Sequence, residues 1–90
     1  MNKINPSEFF SFLKKEGVSF YCGVPDSILK NFTIFVEKNT KKNEHIILAN
    51  EGNAIATAVG YHLSTNRVPV VYMQNSGFGN CINPLTSLTN

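Results

Sequence analysis

The residue best placed to do chemistry in this sequence is a carboxylate, Glu51, which separates two apolar segments. Residues 45–49 are typical of a short buried strand, and residues 52–63 have the small apolar side chains of a tightly packed helix. Burial of an unpaired carboxylate costs free energy, but the free N–H groups and the dipole of a helix N-terminus favour a negative charge. Glu51 is therefore a candidate for binding a polar ligand. The alternative is a first-turn acid that only stabilises its helix.

Each of three predicted strands is followed by a loop rich in acids, amides and glycines. The strands cover residues 18–22, 45–49 and 68–73. The loops after them cover residues 23–27, 50–53 and 74–80. Because the ends of parallel strands meet at one edge of a sheet, the loops predict a site for a polar ligand there. Helix capping favours the same residue types, but it accounts less well for Glu51 and for the amides after Met73.

Helix signals alternate with these strands. Asn5 before Pro6 is typical of an N-cap followed by a proline in the first turn, and Gly17 is placed to end that helix. Asp26 or Ser27 is predicted to cap the second helix. The other predicted elements are a polar loop at residues 39–44, a third helix at 53–64 and turns at 66–67 and 77–79. In the last segment Ile82, Leu85 and Leu88 lie at helical spacing, and Pro84 either caps a helix that starts after Asn83 or kinks a longer one.

This alternation predicts a three-layer α/β fold with a parallel sheet and helices on both of its faces. Three strands are few for such a sheet, because its edges and faces would stay uncovered. We therefore expect residues 1–90 to be the N-terminal portion of a larger domain.

Composition argues against several functions. Charged residues make up 16% of the chain and the net charge is +2, so neither nucleic acid nor a membrane surface is an expected partner. No apolar run is long enough to span a bilayer, and the N-terminus has no signal-peptide core. Cys22 and Cys81 have no metal-binding spacing, which predicts free thiols in a cytoplasmic protein and no metal site on this chain. His45 and His62 are expected to be isolated, structural or exposed.

Three segments together resemble a known family. They are GVPDSIL at residues 23–29, ANEGNAIATAVGYHL at 49–63 and VYMQNSGFGNCINPLTSL at 71–88. In this order and spacing they resemble the pyrimidine-binding domain of thiamine-diphosphate-dependent 2-oxoacid decarboxylases. The form of the motifs is most similar to phosphonopyruvate decarboxylase, with sulfopyruvate decarboxylase as the near relative. The resemblance implies decarboxylation of 3-phosphonopyruvate to phosphonoacetaldehyde and CO2.

The resemblance gives several residues a role. It implies that Glu51 is catalytic, binding N1′ of the cofactor's aminopyrimidine and sharing a proton with it, and a raised pKa would suit that task. It implies that Asp26 faces the substrate and assists proton transfer, whereas the alternative is a helix cap. The implied cofactor-binding residues of the third loop are Asn75, Ser76, Gly77, Gly79 and Asn80. Ser27 and Gln74 are candidates for binding the substrate.

The resemblance also implies groups beyond these residues. In such enzymes a second domain with a GDG…N motif holds the diphosphate and Mg²⁺, and residues 1–90 lack that motif. The cofactor lies between domains of two subunits, which implies a homo-oligomer and half a site on this chain. We expect the isolated chain to be inactive. The expected substrate is a small 2-oxoacid with an anionic head group.

Within the family, the resemblance leaves open the pyrimidine-binding subunit of a sulfopyruvate decarboxylase, whose two domains lie on separate subunits. Outside the family, two alternatives remain open from the sequence. A non-catalytic α/β module that binds phosphate or a nucleotide would suit Gly77 and Gly79 before a helix, although a lone GxG is a weak signal. The other alternative is an inactive fragment that does not fold stably.

Overall fold

The alternation predicted from the sequence is present in the computed structural model, which describes residues 5–88. The helices are α1 (Pro6–Lys15), α2 (Lys30–Asn39), α3 (Glu51–Thr65) and α4 (Ile82–Leu88). The strands are β1 (Tyr21–Gly23), β2 (His45–Ile47) and β3 (Val70–Tyr72). Two 3₁₀-helices, Lys42–Glu44 and Asn75–Cys81, precede β2 and α4.

Local signals set several helix ends. The side-chain oxygen of Asn5 accepts hydrogen bonds from the N–H groups of Ser7, at 2.9 Å, and Glu8, at 3.4 Å, as an N-cap does. Gly17 follows α1 with a φ of 94°, and Asn66 ends α3 with a φ of 59°. Both angles lie in the left-handed region that ends many helices. The predicted cap, stop and turn are therefore present.

The three strands form one parallel sheet in the order β2-β1-β3. Tyr21 lies opposite His45 of β2, and Gly23 lies opposite Tyr72 of β3. Because all three strands run the same way, the loops that follow them leave from one edge of the sheet. This edge carries the candidate site.

Helices cover both faces of the sheet, so the predicted three-layer α/β fold is confirmed. Tyr21 points to the face covered by α1 and α2, where its ring stacks on Phe10 with centroids 5.4 Å apart. Phe20 points to the α3 face and stacks on Tyr61 at 4.4 Å. The buried residues of the first cluster are Val18, Tyr21 and Val36. Those of the second are Phe20, Cys22 and Ala58.

Three local predictions need correction. Every strand is three residues long and shorter than predicted, because apolar runs continue past the residues that pair. The second helix begins at Lys30 rather than directly after Asp26 or Ser27, since residues 27–29 form a turn. Residues 77–79 belong to a 3₁₀-helix and not to a separate tight turn.

Candidate functional site

Glu51 is the first residue of α3, at the sheet edge from which the loops leave. The residue before it, Asn50, is in an extended conformation and caps the helix. Its side-chain oxygen accepts hydrogen bonds from the N–H groups of Gly52, at 2.7 Å, and Asn53, at 3.3 Å. The cap determines where the helix begins and so fixes the backbone that carries the Glu51 side chain.

The Glu51 carboxylate is held by a residue from another loop. The side-chain amide of Asn80 donates a hydrogen bond to Oε1 of Glu51 over 2.8 Å. Asn80 belongs to the 3₁₀-helix Asn75–Cys81, which follows β3, whereas Glu51 follows β2. This contact therefore joins the loops of the two outer strands across the sheet edge.

Two glycines allow the backbones to approach this closely. A Cβ at the buried Gly77 would lie 2.5 Å from Oε2 of Glu51 and 2.6 Å from its Cδ. A Cβ at Gly52 would lie 2.7 Å from the carbonyl oxygen of Asn80. Real Cβ atoms do not come so near other heavy atoms, so a side chain at either place would push the two loops apart. The glycine pair is needed for close approach.

The electrostatics of Glu51 differ from the prediction. The hydrogen bond from Asn80 lowers the pKa of Glu51, the backbone N–H of Glu51 lowers it further, and burial opposes them weakly. The expectation of a raised pKa is therefore wrong for this chain. The carboxylate is only half-buried, and donors that stabilise its charged form outweigh the cost of desolvation.

Cys81 is the last residue of the 3₁₀-helix that holds the carboxylate. Its side chain is fully buried, and its single S–H can donate to either of two acceptors, Sδ of Met73 at 3.4 Å or the carbonyl oxygen of Gly77 at 3.8 Å. Burial raises the pKa of Cys81, and the charge of Glu51 raises it further. A protonated buried thiol is a packing group and not a nucleophile, so Cys81 supports the position of Gly77.

Asp26 uses one of its two carboxylate oxygens within its own loop. Oδ1 accepts a hydrogen bond from the N–H of Leu29 at 2.7 Å, which caps the turn at residues 27–29. Oδ2 is buried and has no hydrogen-bond partner within residues 5–88. Capping thus accounts for half of the carboxylate. A buried oxygen without a partner is uncommon and is where a ligand or water would bind.

The remaining predicted residues belong to the loops that leave from this edge, and all of them are exposed. The carbonyl of Gln74 accepts a hydrogen bond from the N–H of Gly77 at 3.0 Å, so its backbone helps to form the 3₁₀-helix. The exposed members are Ser27, Gln74, Asn75, Ser76 and Gly79. The structure therefore joins Glu51 with Gly77 and Asn80, while the others keep their roles only as predictions.

One group of polar side chains was missed from the sequence. His45, expected to be isolated, is buried and contacts Oε1 of Glu37 through Nδ1 at 3.0 Å and Oη of Tyr72 through Nε2 at 2.7 Å. The three residues come from α2, β2 and β3. Neither spacing nor motif signals such a group, because it depends on the order of the strands in the sheet.

Two general features bear on the kind of site. In the part of the chain that the structure describes, no three His, Cys, Asp or Glu side chains gather as metal ligands do. Across residues 5–88, no helix combines the length and the apolar character that crossing a membrane requires.

The site thus consists of a glutamate in the loop-facing first turn of α3, after one outer strand of a parallel sheet, held by the loop that follows the other outer strand. Residues 7–90 match the family described as thiamine pyrophosphate enzyme, N-terminal TPP binding domain, and the chain belongs to that family. Thiamine pyrophosphate is another name for thiamine diphosphate.

The curated relatives that the chain resembles are sulfopyruvate decarboxylases. The alpha subunit from Methanocaldococcus jannaschii is 34% identical over 88% of this chain and 46% of its own length. The alpha subunit from Methanococcus maripaludis is 34% identical over 94% of this chain and 50% of its own length. A sulfopyruvate decarboxylase from Methanosarcina acetivorans is 30% identical over 98% of this chain and 22% of its own length. The chain thus spans about half the length of the two alpha subunits. No solved structure matches it significantly.

Proposed function

We propose that this chain supplies the aminopyrimidine-binding half of a thiamine-diphosphate-dependent 2-oxoacid decarboxylase. The observation that carries the proposal is the Glu51 carboxylate, held by Asn80 over 2.8 Å and bordered by Gly77 at the loop edge of the sheet. Membership of the cofactor-binding family supports it. The prediction that residues 1–90 are one portion of a larger domain belongs to this proposal, as does a cytoplasmic location.

The residues of the site fit the aminopyrimidine of this cofactor. The lowered pKa keeps Glu51 ionised near neutral pH, so the carboxylate can accept a hydrogen bond from a protonated ring nitrogen such as N1′. Gly77 lets the backbone of the third loop come close to the Glu51 carboxylate. Asn75, Ser76, Gly79 and Asn80 extend the same edge. When bound, thiamine diphosphate supplies the electron sink for loss of CO2.

The substrate side of the site is assigned to the first loop. The buried Oδ2 of Asp26 has no partner within residues 5–88, and we infer that it holds or accepts a proton close to the substrate. Ser27 and Gln74 are exposed and are proposed to contact the substrate's anionic head group. Mg²⁺ and the diphosphate are assigned to a second domain, either in the same chain, which would then form a homo-oligomer, or in a separate partner subunit.

Sulfopyruvate is the substrate that the comparisons favour. Three relatives carry the name sulfopyruvate decarboxylase, and two of them are alpha subunits, which favours a separate partner subunit. Phosphonopyruvate is the second candidate, because the sequence forms GVPDS and NEGNA resemble phosphonopyruvate decarboxylase. The two substrates share the 2-oxoacid and differ in the charge and geometry of the head group.

The test is steady-state kinetics of the full-length protein, with its partner subunit where one exists, on both substrates at saturating thiamine diphosphate and Mg²⁺. We expect Glu51→Gln to keep the fold and to lose most of the decarboxylation, because an amide cannot share a proton with a ring nitrogen. The matched control is Glu16→Gln, a change at an exposed residue at the end of α1. Turnover near the parent level in Glu51→Gln would refute the assignment, and the preferred substrate decides between sulfopyruvate and phosphonopyruvate.

A further inference from the structure

A hydrogen-bonded chain of three side chains joins α2 to the two outer strands of the sheet, whose loops carry the candidate site. We propose that Glu37, His45 and Tyr72, here called the clamp, are positioning residues that hold Glu51 against Asn80. The view of Glu51 and Asn80 as cofactor-binding residues rests on the proposed function, whereas the clamp rests on contacts within this chain.

The chemistry of the clamp uses both nitrogens of one buried imidazole. The carboxylate of Glu37 can only accept, so in the neutral imidazole Nδ1–H of His45 donates to it over 3.0 Å. Nε2 then accepts from the hydroxyl of Tyr72 over 2.7 Å. Burial raises the pKa of Tyr72 to about 12, so the phenol keeps the proton that it donates. The His45 side chain is fully buried, whereas that of Glu37 is 60% exposed.

The clamp has to pass over the central strand, and Gly23 makes this possible. His45 and Tyr72 lie on the outer strands, on either side of β1. A Cβ at Gly23 would lie 2.7 Å from Cδ1 of Tyr72 and would also collide with the Tyr72 carbonyl oxygen. Because Gly23 has no side chain, the Tyr72 ring can lie over β1 and reach toward His45.

The clamp joins the two strands that carry the two halves of the site. β2 leads into Asn50 and Glu51, and β3 leads into the 3₁₀-helix that holds Asn80. Each strand has only three residues, so few backbone hydrogen bonds set the offset of one outer strand from the other. A side-chain tie between β2 and β3 restrains that offset directly, and the 2.8 Å contact between Glu51 and Asn80 depends on it.

The experiment compares two tyrosine-to-phenylalanine variants of the full-length protein. Tyr72→Phe removes the hydroxyl that binds His45 and keeps the ring. The control Tyr61→Phe removes a part-buried hydroxyl that lies 3.3 Å from Ser19, on the opposite face of the sheet. Two quantities are measured: the side-chain amide resonance of Asn80, assigned by its loss in Asn80→Ala, and the dissociation constant for thiamine diphosphate with Mg²⁺.

We expect Tyr72→Phe to shift the Asn80 amide resonance and to weaken cofactor binding about tenfold, roughly the effect of one lost hydrogen bond. Tyr61→Phe should leave both quantities unchanged. The proposal would be overturned if Tyr72→Phe lowered the melting temperature but left the Asn80 resonance and the dissociation constant the same as in Tyr61→Phe. The clamp would then support only the fold.

A second pair of variants tests the clamp from its exposed end. Glu37→Ala removes the acceptor for Nδ1 and should shift the Asn80 resonance in the same direction as Tyr72→Phe. Glu37→Gln keeps an acceptor and should restore the parent signal, since the exposed charge itself contributes little. If Tyr72→Phe does not fold, this pair still tests whether the clamp positions Glu51 against Asn80. An Asn80 resonance that Glu37→Ala leaves unchanged would contradict the proposal. The Asn80 resonance is measured without the cofactor, so this test can succeed or fail independently of the proposed function.

Discussion

At the scale of single residues, the site depends on the missing side chain at Gly77. Its φ is not in the left-handed region, because within residues 5–88 the glycine with a positive φ is Gly17. The reason for glycine is therefore the approach of the Glu51 carboxylate, which would lie 2.5 Å from a Cβ at Gly77. This makes the two glycines of the loop unequal, since a Cβ at Gly79 would have no heavy atom within 4 Å.

We expect Gly77→Ala to displace Glu51, break its hydrogen bond with Asn80 and weaken thiamine diphosphate binding at least tenfold. A charge-assisted hydrogen bond is worth about 1.4 kcal/mol or more, and about 1.4 kcal/mol corresponds to a tenfold change in the dissociation constant. Gly60→Ala, inside α3 where a Cβ would meet no heavy atom within 4 Å, is the matched control. It should leave binding unchanged, with stability unchanged or increased by about 0.4–1 kcal/mol. Calorimetric titration and melting curves measure both effects. Equal affinity in the two variants would mean that the approach of Gly77 to Glu51 does not matter for binding.

The sequence predicted where Glu51, Gly77 and Asn80 lie, but not how they contact one another. Their places follow from parallel strands, whose ends must share an edge. The direction of the pKa shift of Glu51 was wrong, because it depends on a hydrogen bond from Asn80, 29 positions away in the chain. The contacts of His45 were missed for the same reason, since Tyr72 lies 27 positions away.

At the scale of elements, the beginning of α3 is set by one side chain. Asn50 binds the N–H groups of Gly52 and Asn53, and Glu51 lies between the cap and these residues. We expect Asn50→Ala to reduce the free energy of unfolding by about 1 kcal/mol. It should also weaken the contact of Glu51 with Asn80, because the first turn of the helix would fray.

Asn50→Asp is the control for this prediction, because aspartate and asparagine cap helices comparably. Denaturant unfolding of the three proteins gives the stabilities. A stability of Asn50→Ala equal to that of the parent protein would show that the backbone of α3 begins at Glu51 without the cap.

The elements that were predicted correctly have local causes, and the others do not. Asn5, Gly17 and Asn66 act within one helical turn of themselves, so their effects can be read from neighbouring residues. Strand length depends on how far the partner strands run alongside, and the strands pair over three residues only. Asp26 resembled a helix cap, but it caps a turn that precedes α2.

At the scale of the whole molecule, two buried groups on the central sheet link stability to alkaline pH. Burial raises the pKa of Cys22 from 9.0 to about 11 and that of Tyr72 from 10.0 to about 12. At a pH between the unfolded and the folded pKa of either group, that group keeps its proton in the folded chain and has lost it in the unfolded chain. The free energy of unfolding must therefore fall as the pH rises, for Cys22 between about pH 9 and 11 and for Tyr72 between about pH 10 and 12.

We expect each group to contribute a slope of up to about 1.4 kcal/mol per pH unit within its range. Denaturant unfolding at a series of pH values from about 8 to about 12, which covers the pKa values of both groups in the unfolded and folded chain, measures the slope. Cys22→Ala and Tyr72→Phe should each make the pH dependence shallower, whatever they do to stability at neutral pH. A flat profile in the parent protein would contradict the link.

The hydrogen bond between Glu51 and Asn80 has a thermodynamic consequence for any ligand of the site. Since folding already orders the two side chains, a ligand that binds there loses little conformational entropy to arrange them, and more of its contact energy appears as affinity. The same link works in reverse, because a ligand that binds only the ordered chain raises its unfolding temperature as the ligand concentration rises. Thermal denaturation can thus report occupancy of the site without a catalytic assay.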